Sequence, residues 1–159
     1  MRDLRVGVGL DTHSHALGRP LYLGGVHFEG EPGLLGHSDG DVICHAVSDA
    51  LLGAAALGDI GQHFPDTEAA YEGIRGLDLL ARVVAMLRDR ELRPASCDLT
   101  FIGDRPALAP RREEIRQNVA SVLELDESRV SVKATRPEGL GLSGAGAGCL
   151  AVAAVTPSR

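Results

Sequence analysis

Tryptophan is missing from the sequence, and three Phe and two Tyr are its only large aromatics among 159 residues. The core must therefore be built from Ala, Val and Leu, whose small side chains suit close packing of helices on a sheet. Three cysteines, Cys44, Cys97 and Cys149, are odd in number, far apart and without a C-x-x-C spacing. That pattern indicates neither a disulfide framework nor a thiolate metal site. No apolar run approaches membrane-spanning length, and the opening MRDLRVGVGLD has no signal-type apolar stretch, so no membrane partner is expected and the chain reads as cytoplasmic. Positive charge is scarce: 16 Lys and Arg against 22 Asp and Glu leave a net charge of -6. With no basic patch interleaved with aromatics, nucleic acid is not an expected partner. An anionic substrate would need a metal ion or a few placed Arg and Lys. Internal repeats, linkers and low-complexity tails are absent too, and the expectation is one domain over residues 1–159.

What the sequence does have is concentrated between Gly36 and Thr67, GHSDGDVICHAVSDALLGAAALGDIGQHFPDT. Val42, Ile43, Ala46, Val47, Ala50, Leu51, Ala54 and Ala55 recur at helical period, with Ser38 expected as the cap, Asp41 three residues on, and Gly58 as the stop. Asp41, His45 and Asp49, four apart, form one stripe of that helix. A metal-ligating His needs one nitrogen for the ion and an acceptor to fix the other, and Asp41 and Asp49 are the candidates for that acceptor. The plain alternative is a half-buried helix histidine bonded to Asp49.

Upstream, Leu4 to Leu10 reads as a strand ending at Asp11-Thr12-His13, where Asp11 and His13, two apart, point to one side. An Asp-x-His triplet is most often a surface pair. With His45 as a third ligand it becomes the catalytic arrangement of three protein ligands and an open position. His15 reads as a loop histidine with a spare-ligand role as the alternative, and His27 and His63 as ordinary surface residues. Leu21 to Phe28 looks like a strand or a hairpin interrupted at Gly24 and Gly25, and Ile74 to Leu87 like an amphipathic helix. Cys97, Leu99 and Phe101 alternate in a strand, a helix follows Pro110, and Val130, Val132 and Ala134 alternate in another strand. Cys149 to Thr156 is apolar enough to be buried on both faces. RPEGLGLSGAGAG, between the last two strands, fits a close-packed turn, with a phosphate-cradling loop as the alternative. The order predicts an α+β fold, a small mixed sheet with helices on one face and self-association through the other.

The motifs GLDTH (residues 9–13), HSDGDVICHAVSDALLGAAALGDIG (37–61), FPDT (64–67) and VKAT (132–135) resemble the 2-C-methyl-D-erythritol 2,4-cyclodiphosphate synthase family, over nearly all of the chain from Val6 to Val155. The resemblance implies a homotrimer with sheets facing its axis and active sites between neighbouring subunits. It implies cyclisation of 4-diphosphocytidyl-2-C-methyl-D-erythritol 2-phosphate with loss of CMP, in the non-mevalonate route to isoprenoid precursors. Asp11, His13 and His45 match the metal ligands, for Zn2+ or Mn2+, and Glu138 lies where a second ion, Mg2+ or Mn2+, bridges the diphosphate. His37 and Ser38 match phosphate-contacting residues, His37 being credited with transition-state stabilisation, and Thr12 lies between the two strand ligands. Asp59, Ile60 and Gly61 match the ribose-holding turn. Phe64, Pro65, Asp66, Thr67 and Glu68 match the flap over the methylerythritol. Gly103, Asp104, Arg105, Pro106, Ala107, Leu108 and Ala109 match the cytosine segment, contributed by a neighbouring subunit, with Thr135 beside it.

Several positions depart from that pattern. Arg136 and Pro137 stand where two further small hydroxyl residues are usual, and a guanidinium there can neutralise phosphate charge, which makes Arg136 a catalytic candidate with His37 and Glu138. Ala107 stands in place of Lys. Leu142, Ala145 and Ala147 replace the aromatic and charged residues that line the trimer's central cavity. The same departures motivate an alternative, a catalytically silent metal- or CMP-binding trimer of this fold.

Overall fold

A computed structural model describes residues 3–158. Its spine is β1 (Arg5–Ala16), which carries glycines at positions 7 and 9 on the face turned towards the helices. Around it lie β2 (Leu21–Leu23), β3 (Val26–Phe28), β4 (Gly33–Leu34), β5 (Leu92–Gly103), β6 (Val130–Thr135) and β7 (Gly146–Pro157). Five of these form one sheet in the order β4-β1-β7-β5-β6, in which β5 and β6 run parallel and the other neighbours antiparallel. Strands β2 and β3 pair as a separate hairpin, turned by Gly24 and Gly25 at positive φ, as the two glycines predict.

The helices α1 (Val42–Ala54), α3 (Gly76–Arg88) and α4 (Arg112–Leu123) cover one face of the sheet, and α2 (Ile60–His63) is a single turn after α1. Helix α1 lies directly on β1 and β7 because the facing residues are small. A Cβ on Gly9 would sit 1.9 Å from the carbonyl oxygen of Ala46, and one on Gly7 would sit 2.1 Å from that of Ala50. Between the layers Ala46, Val47, Ala50 and Leu51 meet Cys149, Ala151 and Val155, all fully buried. This is the small-residue core that an aromatic-poor chain has to build.

Three expectations need correction. The cap of α1 is Asp41, whose carboxylate accepts from the Ile43 and Cys44 amides, and Ser38 lies outside the helix. The helix stops at Ala54, before Gly58, with Ala56 already in the left-handed region at φ 57°. Strand β7 is buried on both faces except at two positions of the face turned away from the helices, where Ala154 and Thr156 are still covered. Leu150 and Val152 stand 42% and 39% exposed, paired across the ladder with Leu10 and Val8 on β1, which are 60% and 63% exposed. With Val6 and Leu4 they form an apolar stripe on the sheet face that carries no helix. Among the described residues no helix is long and apolar enough to cross a membrane.

Candidate metal centre and cavity

Asp11 and His13 leave the same face of β1, two residues apart, and the glycine contact two residues earlier brings α1 close enough for His45 to join them. The Asp11 Oδ2 atom lies 2.8 Å from His13 Nε2 and 3.0 Å from His45 Nδ1, and the two ring nitrogens are 3.4 Å apart. Donor atoms bound to one tetrahedral ion at ~2.0–2.2 Å lie roughly 3.3–3.5 Å from each other, so a small outward shift fits a divalent metal. The donor set, one carboxylate and two imidazoles, suits such an ion and leaves a position open.

The other nitrogen of His45, Nε2, lies 2.9 Å from Ser38 Oγ. Neither Asp41 nor Asp49 supports the ring, which corrects the helix-stripe reading. Asp41 is wholly buried and accepts from the amides of Gly24, Gly25, Ile43 and Cys44, tying the hairpin to the helix start. Asp49 accepts from Ile60 N at 2.8 Å and so holds the start of α2. Burial raises both carboxyls above their ordinary range, assisted at Asp41 by the charge of Asp39 and opposed at Asp49 by the Ile60 amide.

Burial works against the charged forms of Asp11 and His45, yet hydrogen bonds and opposite charge prevail. Asp11 is held well below the usual carboxylate range by both imidazoles, and His45 is raised by Asp11. In the metal-free chain, His45 therefore contributes stability that is full below its unfolded value and lost as pH rises through its folded one. Asp11 contributes stability present above its unfolded value and lost as pH falls through its folded one. The two overlap between the ordinary aspartate value of 3.8 and the ordinary histidine value of 6.5. A metal must displace the His45 proton, so its apparent affinity should climb by at least about tenfold per pH unit as pH rises through the histidine range, then level off. Chelator competition at three pH values measures this; a flat profile would contradict it.

The triad opens into a cavity of ≈ 440 Å³ whose wall includes His37, Ser38, Ile60, Gly61, Phe64, Pro65 and Asp66. Asp59 stands behind that wall, its carboxylate capping α2 at Gln62 N, and Glu68 meets it through its carbonyl, 3.3 Å from His37 Nε2. Thr12 and Thr67 lie outside the wall, Thr12 beside Leu142 in a separate cleft. The cytosine-matching segment is elsewhere: Gly103, Asp104, Pro106, Ala107, Leu108 and Ala109 line a second cavity of ≈ 180 Å³, with Thr135, Arg136 and Arg112. Arg105 turns away to pair with Glu31 at 2.5 Å. Pro137 and Glu138 follow β6 outside both cavities, Glu138 at φ 54°. Within one chain, then, the metal group and the cytosine segment stand apart.

The spare histidines sort differently from expectation in one case. His15 lies in β1, half-buried, its Nδ1 without a partner among the described residues, because the strand continues beyond His13. His27 is exposed and stacks on Tyr22, and His63 donates to the Leu57 carbonyl. Sequence reasoning missed Tyr71, Ile74 and Leu79 on the cavity wall. Tyr71 lies edge-on to Phe64 with centroids 5.3 Å apart, and no spacing signal points to it.

Comparison with known proteins gives a consistent result. The model of the family described as "YgbB family" matches residues 4–157. The chain is 51% identical to a 2-C-methyl-D-erythritol 2,4-cyclodiphosphate synthase of Syntrophomonas wolfei, over 96% of this chain and 97% of that protein. It is 52% identical to a bifunctional enzyme IspD/IspF of Anaeromyxobacter dehalogenans over 87% of its own length, and spans only 36% of that longer protein. A solved 2C-methyl-D-erythritol-2,4-cyclodiphosphate synthase in its CDP-bound form superposes with a TM-score of 0.88 at 35% identity, covering 95% of this chain and 99% of that one.

Proposed function

The chain belongs to the YgbB family, and on that premise we propose that it cyclises 4-diphosphocytidyl-2-C-methyl-D-erythritol 2-phosphate to 2-C-methyl-D-erythritol 2,4-cyclodiphosphate with release of CMP, in isoprenoid precursor biosynthesis. The observation that carries this reading is the Asp11, His13 and His45 group at the inner end of a cavity walled by His37, Ser38 and the 60–66 segment. In the reaction an oxygen of the 2-phosphate forms a new bond to the β-phosphorus, and the bond from that phosphorus to CMP breaks. Such a transfer asks for alignment and charge neutralisation more than for a protein nucleophile.

Asp11, His13 and His45 would hold a divalent ion, Zn2+ or Mn2+, which would supply a Lewis acid and a template for phosphate oxygens. Ser38 keeps the His45 ring oriented through Nε2, and His37, at the cavity wall, faces the reacting phosphates. Ile60 and Gly61 hold the ribose, positioned by the Asp49 and Asp59 carboxylates behind them. Phe64, Pro65 and Asp66 close over the methylerythritol and exclude water. Thr12, Thr67, Glu68 and Leu142 border the substrate from farther out, and Pro137 shapes the turn before Glu138.

The second cavity, from Gly103 to Ala109 with Thr135 and Arg136, takes the cytosine end, and Arg136 neutralises phosphate charge there. Its separation from the metal group within one chain supports a homotrimer, in which a neighbour's second cavity meets this chain's first and Glu138 would help hold a Mg2+ or Mn2+ ion that would neutralise diphosphate charge. The exposed stripe of Leu4, Val6, Val8, Leu10, Leu150 and Val152 supplies an apolar surface for that assembly. The three buried thiols, none in a disulfide, suit the cytoplasm.

The test is turnover. Purified protein given the cytidylated substrate and Mg2+ or Mn2+ should release CMP in step with cyclic product. Absence of turnover with metal demonstrably bound overturns the reading, and inorganic phosphate in place of the cyclic product points to hydrolysis instead.

A further inference from the structure

Three successive peptide carbonyls, those of Gly36, His37 and Ser38, are each held by a donor from elsewhere, and two of the three donors belong to one side chain. Arg19, in the turn between β1 and β2, places Nη1 2.7 Å from the Gly36 carbonyl and Nη2 2.6 Å from the Ser38 carbonyl. The Gly73 amide donates to the His37 carbonyl at 2.9 Å. Arg19 is half-buried and makes no ion pair with a carboxylate among the described residues, whereas Arg88, Arg105, Arg111 and Arg116 all do. Its backbone is fixed as well, since Gly33 of β4 packs against the Arg19 and Pro20 carbonyls with no room for a Cβ.

A peptide unit is planar, so fixing the direction of its carbonyl fixes the amide on its other side. Anchoring the carbonyls at residues 36 and 38 therefore sets how the intervening chain presents its side chains. Ser38 Oγ then meets His45 Nε2 at 2.9 Å and accepts from Gly40 N at 3.3 Å, while His37 reaches the cavity wall. We infer that Arg19 is a positioning residue for His37 and Ser38, its guanidinium fork fixing the backbone that carries the phosphate-facing pair although it lines no part of the cavity itself. The inference rests on the proposed function for its catalytic consequence only. Arginine suits the task because its donors are rigidly spaced and always charged; a lysine ammonium is a point charge that satisfies one carbonyl at a time.

The experiment uses Arg19→Met, which keeps the apolar stem and removes both donors, with Arg19→Lys beside it. At saturating metal and well below the melting point, kcat for CMP release should fall ~20- to 100-fold in the Met variant, as for a misplacement of about 1 Å, with KM nearly unchanged. The Lys variant should fall between Met and the parent. Ser38→Ala should cost far less in the Met background than in the parent, because both changes release the same segment. In metal-free protein, the amides of Asp39 and Gly40 should exchange at least about tenfold faster, with β5 and β7 unaffected. A folded Met variant within twofold of the parent in kcat, additive losses with Ser38→Ala, or exchange accelerated equally everywhere would each overturn the inference. Should the Met variant not fold, full activity of the Lys variant does so. If the parent releases no CMP, the proposed function has failed, while exchange at Gly40 still decides whether Arg19 holds the segment.

Discussion

Replacing His45 with alanine should strip the divalent ion and lower CMP release by a factor of ~10³ or more, without unfolding the chain. Two consequences of the geometry combine. His45 is the only one of the three donors rooted in a helix, and its side chain is 5% exposed against about 20% for the other two, so no neighbouring water-borne ligand replaces it easily. What remains is the Asp11 carboxylate with His13 alone beside it, facing a diphosphate in a chain that already carries a net charge of -6. Without the ion the site repels its substrate. Metal content by mass spectrometry and turnover with saturating substrate measure the two halves of the effect. His27→Ala, at an exposed position of the β2–β3 hairpin, serves as comparison and should retain both. Full metal content in His45→Ala would remove the basis of the ligand assignment.

The largest effect on stability is expected from a single methyl group at Gly9. The atoms it would strike are backbone, the Ala46 carbonyl at 1.9 Å and the Ala50 amide at 2.7 Å, and backbone within a helix cannot rotate away. Relief requires α1 to move off the sheet by roughly an ångström, which opens space around the fully buried Ala46, Ala50 and Ala151. We expect Gly9→Ala to cost about 3 kcal/mol or more, at the upper end for overpacked cores. In a chain of this size that is a drop of roughly 6–12 °C in melting temperature. Metal affinity should fall with it, since Asp11 lies two residues beyond Gly9 on the strand and His45 rides on the displaced helix. Gly53→Ala is the internal control: its nearest neighbour is the Val8 carbonyl at 3.9 Å, so it should be neutral or slightly stabilising through helix propensity. Equal losses at both positions would show that close strand-to-helix approach does not limit this fold.

Much of this was legible in the residues, and what was not has physical causes. The Asp11 and His13 spacing, the α1 periodicity and the β5 alternation are local, and local patterns survive folding. The role of Asp41 was misread because its carboxylate is claimed by the amides of Gly24 and Gly25, seventeen and sixteen residues earlier, a partnership with no local signature. That left Ser38 free of the cap and available to His45, an exchange of roles that spacing cannot reveal. Strand β4, only two residues long, is too short to alternate, and Arg19 escaped notice because its acceptors are carbonyls, which every residue has. The apolar run of β7 read as buried throughout, yet Leu150 and Val152 stand exposed, since an apolar side chain looks the same in sequence whether or not another layer covers it.

One helix face carries Asp41, His45 and Asp49, and each grips a different part of the molecule: the hairpin, the metal group and the start of α2. The helix is in effect a jig, setting three workpieces at intervals of one turn. Drift by substitution is then tightly limited along its length, because a change that slides the jig misaligns all three at once, and Gly53 is the one residue of the helix that is exposed. Selection on catalysis alone would be enough to freeze the packing beneath it.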